Sequence, residues 1–249
     1  MPAPEQFAAN LAMMFADSPF LERFERAAAA GFSAVEISTP ELFSFPPDAV
    51  GAAVEAAGLR VALFNMPPGS SSGMAAVPGA EAEFMASVDT TLAYCAATGC
   101  TAVHCMAGVM AEGATAETIA QHRETYLSNL RALNEKFAPA GVYACLEPLN
   151  PRQSPHYFLK SNDMAAGIIA ELGGLSHVRL QFDFYHTQII CGDVTTQFRK
   201  HRDLIGHVQI AGVPERFEPD ETQELNYPFI LAELDRLGAK NATVCAICI

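Results

Sequence analysis

The sequence predicts an α/β fold in which eight parallel strands close into a (β/α)8 TIM barrel with helices outside. Three observations point there. A helix, a glycine and a short strand recur as a unit along the chain. Strands alternating with helices imply parallel pairing through right-handed crossovers. The chain has 249 residues, close to the roughly 250 of one such barrel. No linker or shift of composition divides it, so a single domain over 1–249 is expected.

The elements follow in order. The first strand is expected over 7–15. Helix 20–30 then leads through Gly31 to strand 34–37, and helix 48–57 through Gly58 to strand 60–64. Helix 81–98 precedes Gly99 and strand 101–105, and helix 115–138 precedes Gly141 and strand 142–147. Helix 162–172 leads through Gly173 to strand 178–183. A helix near 195–201 leads to Gly206 and strand 207–210. Helix 227–237, Gly238 and strand 242–249 complete the set. Glycine closes a helix in the left-handed conformation without steric cost. The strands are short apolar runs, as expected when both faces are buried. A doubly wound open sheet is the alternative, but no Gly-rich dinucleotide or P-loop fingerprint follows any strand. The expected barrel lacks its final helix, and the uncovered apolar surface favours a homo-oligomer.

Charge and cysteine content narrow the class. With 28 acidic and 15 basic side chains the net charge is −13, the wrong sign for gripping a phosphate backbone, so no nucleic-acid partner is expected. A small anionic substrate stays compatible, because a few local cations suffice to hold one. The seven cysteines are scattered among apolar residues. Residues 1–6 carry no basic export signal, and no apolar run reaches the roughly 18 residues of a membrane span. A reduced, cytoplasmic protein without a membrane partner is expected. Cys245 and Cys248 form a CxxC on an expected strand, where residues three apart point to opposite faces. They are read as structural and not as a metal or redox pair.

The chemistry gathers where strands end. The stretch Ala144-Cys-Leu-Glu-Pro-Leu-Asn150 is an apolar run that stops at one carboxylate and then breaks at a proline. In a parallel barrel the carboxyl-end rim carries the active site, which makes Glu147 the first candidate acid/base. Asp183 and Gln209 lie near the ends of strands six and seven. Buried carboxylates are costly unless paired or bound to a cation. Three oxygen donors on consecutive strands suit Mg²⁺ or Mn²⁺ better than zinc. The competing reading makes Asp183 the cap of the following turn and Gln209 an ordinary strand residue. His186 follows Asp183 by three residues and can face the same cavity. His207 lies deeper, and it and His104 are read as packing or supporting residues. Arg216 sits in an irregular loop, either as a surface ion pair or as a bidentate clamp for a substrate carboxylate. The Gly-, Pro- and Ser-rich loop 67–79 is either a cover for a ligand or a solvated connection.

Taken jointly, several segments resemble the hydroxypyruvate isomerases and related 2-oxo-tetronate isomerases, which are xylose-isomerase-like barrels. The segments are Ala9-Asn-Leu-Ala-Met-Met-Phe15, Phe24 through Ile37, Asn65-Met-Pro-Pro-Gly69, Leu146-Glu-Pro-Leu-Asn150, Phe182-Asp-Phe-Tyr-His186, Gly206-His-Val-Gln-Ile-Ala211 and Glu224-Leu-Asn-Tyr227. The resemblance implies a divalent-metal isomerase of carbohydrate metabolism acting on a small hydroxy-carbonyl acid. It implies Glu147 as metal ligand and proton carrier, Asp183 and Gln209 as further ligands, and His186, Arg216 and Asn65 toward the substrate.

Two positions depart from that pattern. The family's eighth strand carries a glutamate in Gly-Cys-Glu-Tyr, where this chain has Ala246 or a neighbour, and no acid follows Asp235. Phe64 stands where a histidine is usual before the asparagine. Two expectations follow. One is an isomerase interconverting hydroxypyruvate and tartronate semialdehyde. The other is a catalytically impaired barrel that still binds a small hydroxy acid. A related DNA-repair endonuclease barrel would need a histidine-rich zinc cluster and a basic face, and the sequence offers neither.

Overall fold

In the computed structural model every strand pairs in parallel with the next, and the eighth returns to the first, closing the barrel. Residues 7–69, 72–237 and 244–246 are described. The strands are β1 (Phe7–Asn10), β2 (Ala34–Ile37), β3 (Arg60–Asn65), β4 (Ala102–His104), β5 (Tyr143–Leu146), β6 (Val178–Asp183), β7 (Ile205–Ile210) and β8 (Val244–Ala246). The helices are α1 (Glu22–Ala29), α2 (Pro47–Ala56), α3 (Glu81–Thr98), α4 (Ala116–Ala140), α5 (Asn162–Glu171), α6 (Phe184–Ile190), α7 (Val194–His201) and α8 (Tyr227–Arg236). No described helix is long and apolar enough to cross a membrane.

The apolar runs form strands because both faces are covered. Val35, Ile37, Val103, Ala144, Leu146, Leu180, Phe182 and Val208 are fully buried. Glycine ends α3 and α4 as expected: Gly99 and Gly141 take φ of 69° and 67° at the C-caps, where a Cβ would be strained.

Two expectations change, and a third is described only in part. The first strand is shorter than 7–15. Asn10 Oδ1 accepts the Ala12 N–H at 3.0 Å, and the Asn10 carbonyl accepts from Met13 and Met14, so the chain turns where the apolar run continues. Second, the turn expected after strand six is the helix α6. Asp183 caps it by accepting the His186 N–H at 3.0 Å. Asp, Asn, Ser and Thr are the favoured N-caps because they satisfy the first unpaired N–H groups. Third, strand 242–249 is described only as Val244–Ala246. Cys248 and the rest of the expected CxxC strand lie outside the described residues.

Register places the polar side chains at the rim. Asp183 ends β6 and pairs with Gln209 of β7. His104 ends β4 and pairs with Asn65 at the end of β3. Glu147 is the residue after β5. Asn10 ends β1 and pairs with Glu36 of β2.

Candidate active site

At the carboxyl ends of β5 and β6, two buried carboxylates face each other. Glu147 is 4% exposed and Asp183 2%. Ligand atoms of Glu147, Asp183 and His186 all lie within 4.8 Å of one another. Glu147 Oε1 and Asp183 Oδ2 find no hydrogen-bond partner among the described residues. Burial raises the Glu147 carboxyl well above its ordinary range, and the neighbouring charge of Asp183 adds to the rise. Burial also raises Asp183, while Arg216 and the helix N–H groups pull it back. Like charges in a desolvated site ionise together only if a cation lies between them. Two carboxylate oxygens without a hydrogen bond, aimed at one gap, fit a hard divalent cation.

Neighbouring side chains frame this gap. His104 Nδ1 lies 3.2 Å from Glu147 Oε2, and burial lowers the His104 pKa to about 3, so the ring is neutral. His186 Nε2 lies 3.7 Å from Glu147 Oε1 and 3.9 Å from Asp183 Oδ2. Its Nδ1 meets Asn150, at 3.0 Å from the backbone N and 2.8 Å from Nδ2. Arg216 reaches over from the loop after β7. Its guanidinium is 3.6 Å from Asp183 Oδ2 and sits 5.0 Å above the Tyr185 ring. Nη1 also reaches Gln153 Oε1 at 3.4 Å. Asn65, half-buried, directs Nδ2 at the Ser38 carbonyl over 3.5 Å.

Below the carboxylates lies a hydrogen-bonded network inside the barrel. Glu36 is fully buried. Its Oε1 accepts from Asn10 Nδ2 at 2.9 Å, Ser38 Oγ at 2.8 Å and Gln209 Nε2 at 2.5 Å. Its Oε2 lies 2.9 Å from His207 Nε2. Gln209 Oε1 accepts in turn from Gln181 Nε2 at 2.8 Å. The Gln209 carboxamide is thereby oriented at both ends, with its oxygen keeping a second lone pair.

The model of the xylose isomerase-like TIM barrel matches residues 24–248. That match spans most of the sequence. The chain belongs to the xylose isomerase-like TIM barrel family. Within the family, a 2-oxo-tetronate isomerase of Haemophilus influenzae is 39% identical over 244 residues, covering 96% of this chain and 92% of that protein. One from Cupriavidus necator is 42% identical, covering 94% and 88%. A Homo sapiens protein provisionally named a hydroxypyruvate isomerase is 36% identical, covering 98% and 89%. Among solved structures, one from Brucella melitensis titled AP endonuclease, family 2, superposes with a TM-score of 0.90 at 40% identity, covering 99% of this chain and 93% of that one. A 3-keto-D-glucoside 4-epimerase from E. coli shares the fold, with a TM-score of 0.79 at 24% identity, covering 97% and 90%.

The structure brings Glu147, Asp183, His186 and Arg216 together. It sets Gln209 beside Asp183, and Asn65 beside His104 in register. The capping reading of Asp183 holds, with Oδ1 on the first turn of α6, and Oδ2 is left toward the gap shared with Glu147 and His186. The network around Glu36 and the contact of His104 with Glu147 are not specified by sequence reasoning, which reads His104 and His207 only as packing or supporting residues. The signal was a charged or imidazole side chain inside an apolar run.

Proposed function

We propose that the protein is an isomerase of small hydroxy-carbonyl acids that interconverts hydroxypyruvate and tartronate semialdehyde. The carrying observation is the pair of buried carboxylates at the barrel's carboxyl-end rim, each with an oxygen unpartnered among the described residues. The names of the isomerase relatives support an aldose–ketose type of reaction.

In this reading Glu147, Asp183 and Gln209 hold a divalent cation, Mg²⁺ or Mn²⁺. When bound, the cation supplies a Lewis acid that stabilises negative charge on adjacent substrate oxygens. Glu147 removes a proton from the hydroxymethyl carbon of hydroxypyruvate, leaving an enediolate. Returning the proton to the former carbonyl carbon, with a hydroxyl proton moved between the two oxygens, gives tartronate semialdehyde. His186 Nε2 faces the same gap and contacts the substrate, with Asn65 nearby on the rim. Arg216 binds the substrate carboxylate, and the Tyr185 ring beneath it fixes the guanidinium plane.

A second reading is favoured by Ala246. The resemblance puts a glutamate on strand eight, and without it one face of the planar intermediate lacks an acid/base group. The barrel then binds a small hydroxy acid but turns it over weakly. An AP endonuclease activity, the name carried by the Brucella protein, gains little support from a chain of net charge −13.

One experiment separates the readings. Purified protein with Mg²⁺ or Mn²⁺ is given hydroxypyruvate in D₂O, and tartronate semialdehyde and carbon-bound deuterium are followed. Turnover at ordinary enzyme rates supports the isomerase. Activity that emerges only in Ala246→Glu supports the impaired barrel. If neither protein binds a divalent cation, the ligand assignment and the isomerase reading both fail.

A further inference from the structure

Asn150 is buried, and its amide oxygen is committed. Oδ1 accepts two backbone N–H groups, from Arg152 at 3.1 Å and Gln153 at 3.0 Å. That fixes which end of the amide is oxygen, so Nδ2 must face His186. The backbone N–H of Asn150 faces the same ring atom. Two donors therefore converge on His186 Nδ1, at 2.8 and 3.0 Å. A ring nitrogen accepts a hydrogen bond only when it carries no proton, and a neutral imidazole then carries its proton on the other nitrogen.

We infer that Asn150 is a positioning residue that fixes His186 as the Nε2–H tautomer, so that the ring offers the site a hydrogen-bond donor and not a metal-binding lone pair. The Nε2 atom is buried, finds no hydrogen-bond partner among the described residues, and stands 3.7 and 3.9 Å from the two carboxylates. Those separations exceed a direct hydrogen bond. The N–H is thus left for an oxygen placed between the carboxylates, the alkoxide or carbonyl oxygen of a hydroxy-carbonyl substrate. Although His186 lies close enough to join Glu147 and Asp183 around a cation, its wiring to Asn150 takes it out of the ligand set. The tautomer stands on geometry alone. The role of the N–H toward substrate rests on the isomerase reading above.

Histidine ¹⁵N labelling of the full chain, with long-range ¹H–¹⁵N correlation spectra, reads the tautomer directly. The His186 signals are assigned by their loss in His186→Gln. Wild-type protein, free of metal and substrate, should show a bare Nδ1 and a protonated Nε2, and Nε2 should stay protonated when Mg²⁺ is added. Asn150→Asp turns an acceptor toward Nδ1 and should draw the proton there. Asn150→Ala removes one of the two donors while leaving the backbone N–H, and should release part of the ring population to the Nδ1–H form. Turnover by Asn150→Asp should fall in kcat more than KM rises, by roughly 10²-fold, as when one donor to a developing oxyanion is lost. A protonated Nδ1 in the wild type, a wild-type pattern in Asn150→Asp, or loss of the Nε2–H on adding Mg²⁺ would each overturn the inference. The two readings fail separately. The expected tautomer in a protein that turns over no hydroxy acid retires the isomerase reading alone. A bare Nε2 in an active isomerase retires the tautomer alone.

Discussion

Gln209 gives an amide hydrogen to Glu36, Nε2 to Oε1 at 2.5 Å, deep inside the barrel. Glu36 Oε1 accepts from Asn10 and Ser38 as well, so it meets the amide nitrogen of Gln209 and leaves the amide oxygen facing away. If Gln209 is a cation ligand, Glu36 decides which of its atoms the cation meets. Glu36→Gln keeps the size but can donate as well as accept, and the amide is no longer held one way round. Affinity for Mn²⁺, measured by titration calorimetry, should fall about 10–100-fold, as when the group supporting a ligand is lost. An unchanged affinity would show that Glu36 does not set which Gln209 atom a cation meets.

Glu147→Gln removes the proposed proton carrier and one cation ligand while keeping the side-chain volume. Loss of kcat for hydroxypyruvate by about 10²–10⁴-fold is expected, with no deuterium entering substrate carbon. His104 Nδ1 still has an oxygen to meet at the Glu147 position, 3.2 Å away in the wild type, so the fold should persist. Circular dichroism checks the fold and the isotope exchange checks the chemistry. Exchange at wild-type rates would move the base elsewhere.

Much of the fold was legible because each unit punctuates itself. The expected ranges 34–37, 81–98 and 178–183 coincide with β2, α3 and β6. Misses occurred where a side chain overrode the apolar pattern. Asn10 bends the chain after β1 through its own Oδ1, and Asp183 starts α6 at once by capping it. Glu147, Asp183, His186 and Arg216 could be picked out as polar residues at strand ends and in a loop. That His104 reaches Glu147 across β4 and β5, or that Glu36 gathers Asn10, Ser38, His207 and Gln209, depends on pairings between distant segments. No local period encodes them.

Arg216 reaches the site from a strained position, with φ of 65°, in the left-handed region that non-glycine residues seldom adopt. Its N–H bonds the Gly212 carbonyl at 2.8 Å, holding the turn. The clamp reading makes its charge specific for an acid. Arg216→Lys keeps the charge but loses the planar fork and the stacking on Tyr185. For hydroxypyruvate, kcat/KM should fall roughly 10–100-fold, the worth of a charge-assisted hydrogen bond. Dihydroxyacetone keeps the hydroxyketone and lacks the carboxylate, so whatever turnover it shows should change little. Equal losses on both compounds would assign Arg216 to holding Asp183 and not to the substrate.

The carboxylate pair also predicts how stability and cation binding respond to pH. Burial raises both carboxyls, with Asp183 contributing to the rise at Glu147. A carboxyl whose folded pKa exceeds its unfolded value stabilises the protein at low pH, and that contribution is lost as pH rises through the folded pKa. Metal-free protein should therefore be less stable at pH 8 than near pH 5, because the buried pair resists ionising and that resistance costs more as the pH rises. Asp183→Asn removes the charge yet keeps an oxygen able to cap α6. At pH 8, without cation, this variant should be more stable than the wild type by roughly 1–4 kcal/mol, and the gap should narrow toward pH 5. Mg²⁺ or Mn²⁺ should stabilise the wild type at pH 8, much less at pH 5 where protons compete for the same oxygens, and scarcely at all in Asp183→Asn. Denaturant unfolding at the two pH values, with and without the cation, supplies all of these comparisons. A cation that stabilises Asp183→Asn as strongly as the wild type would place its site away from β6.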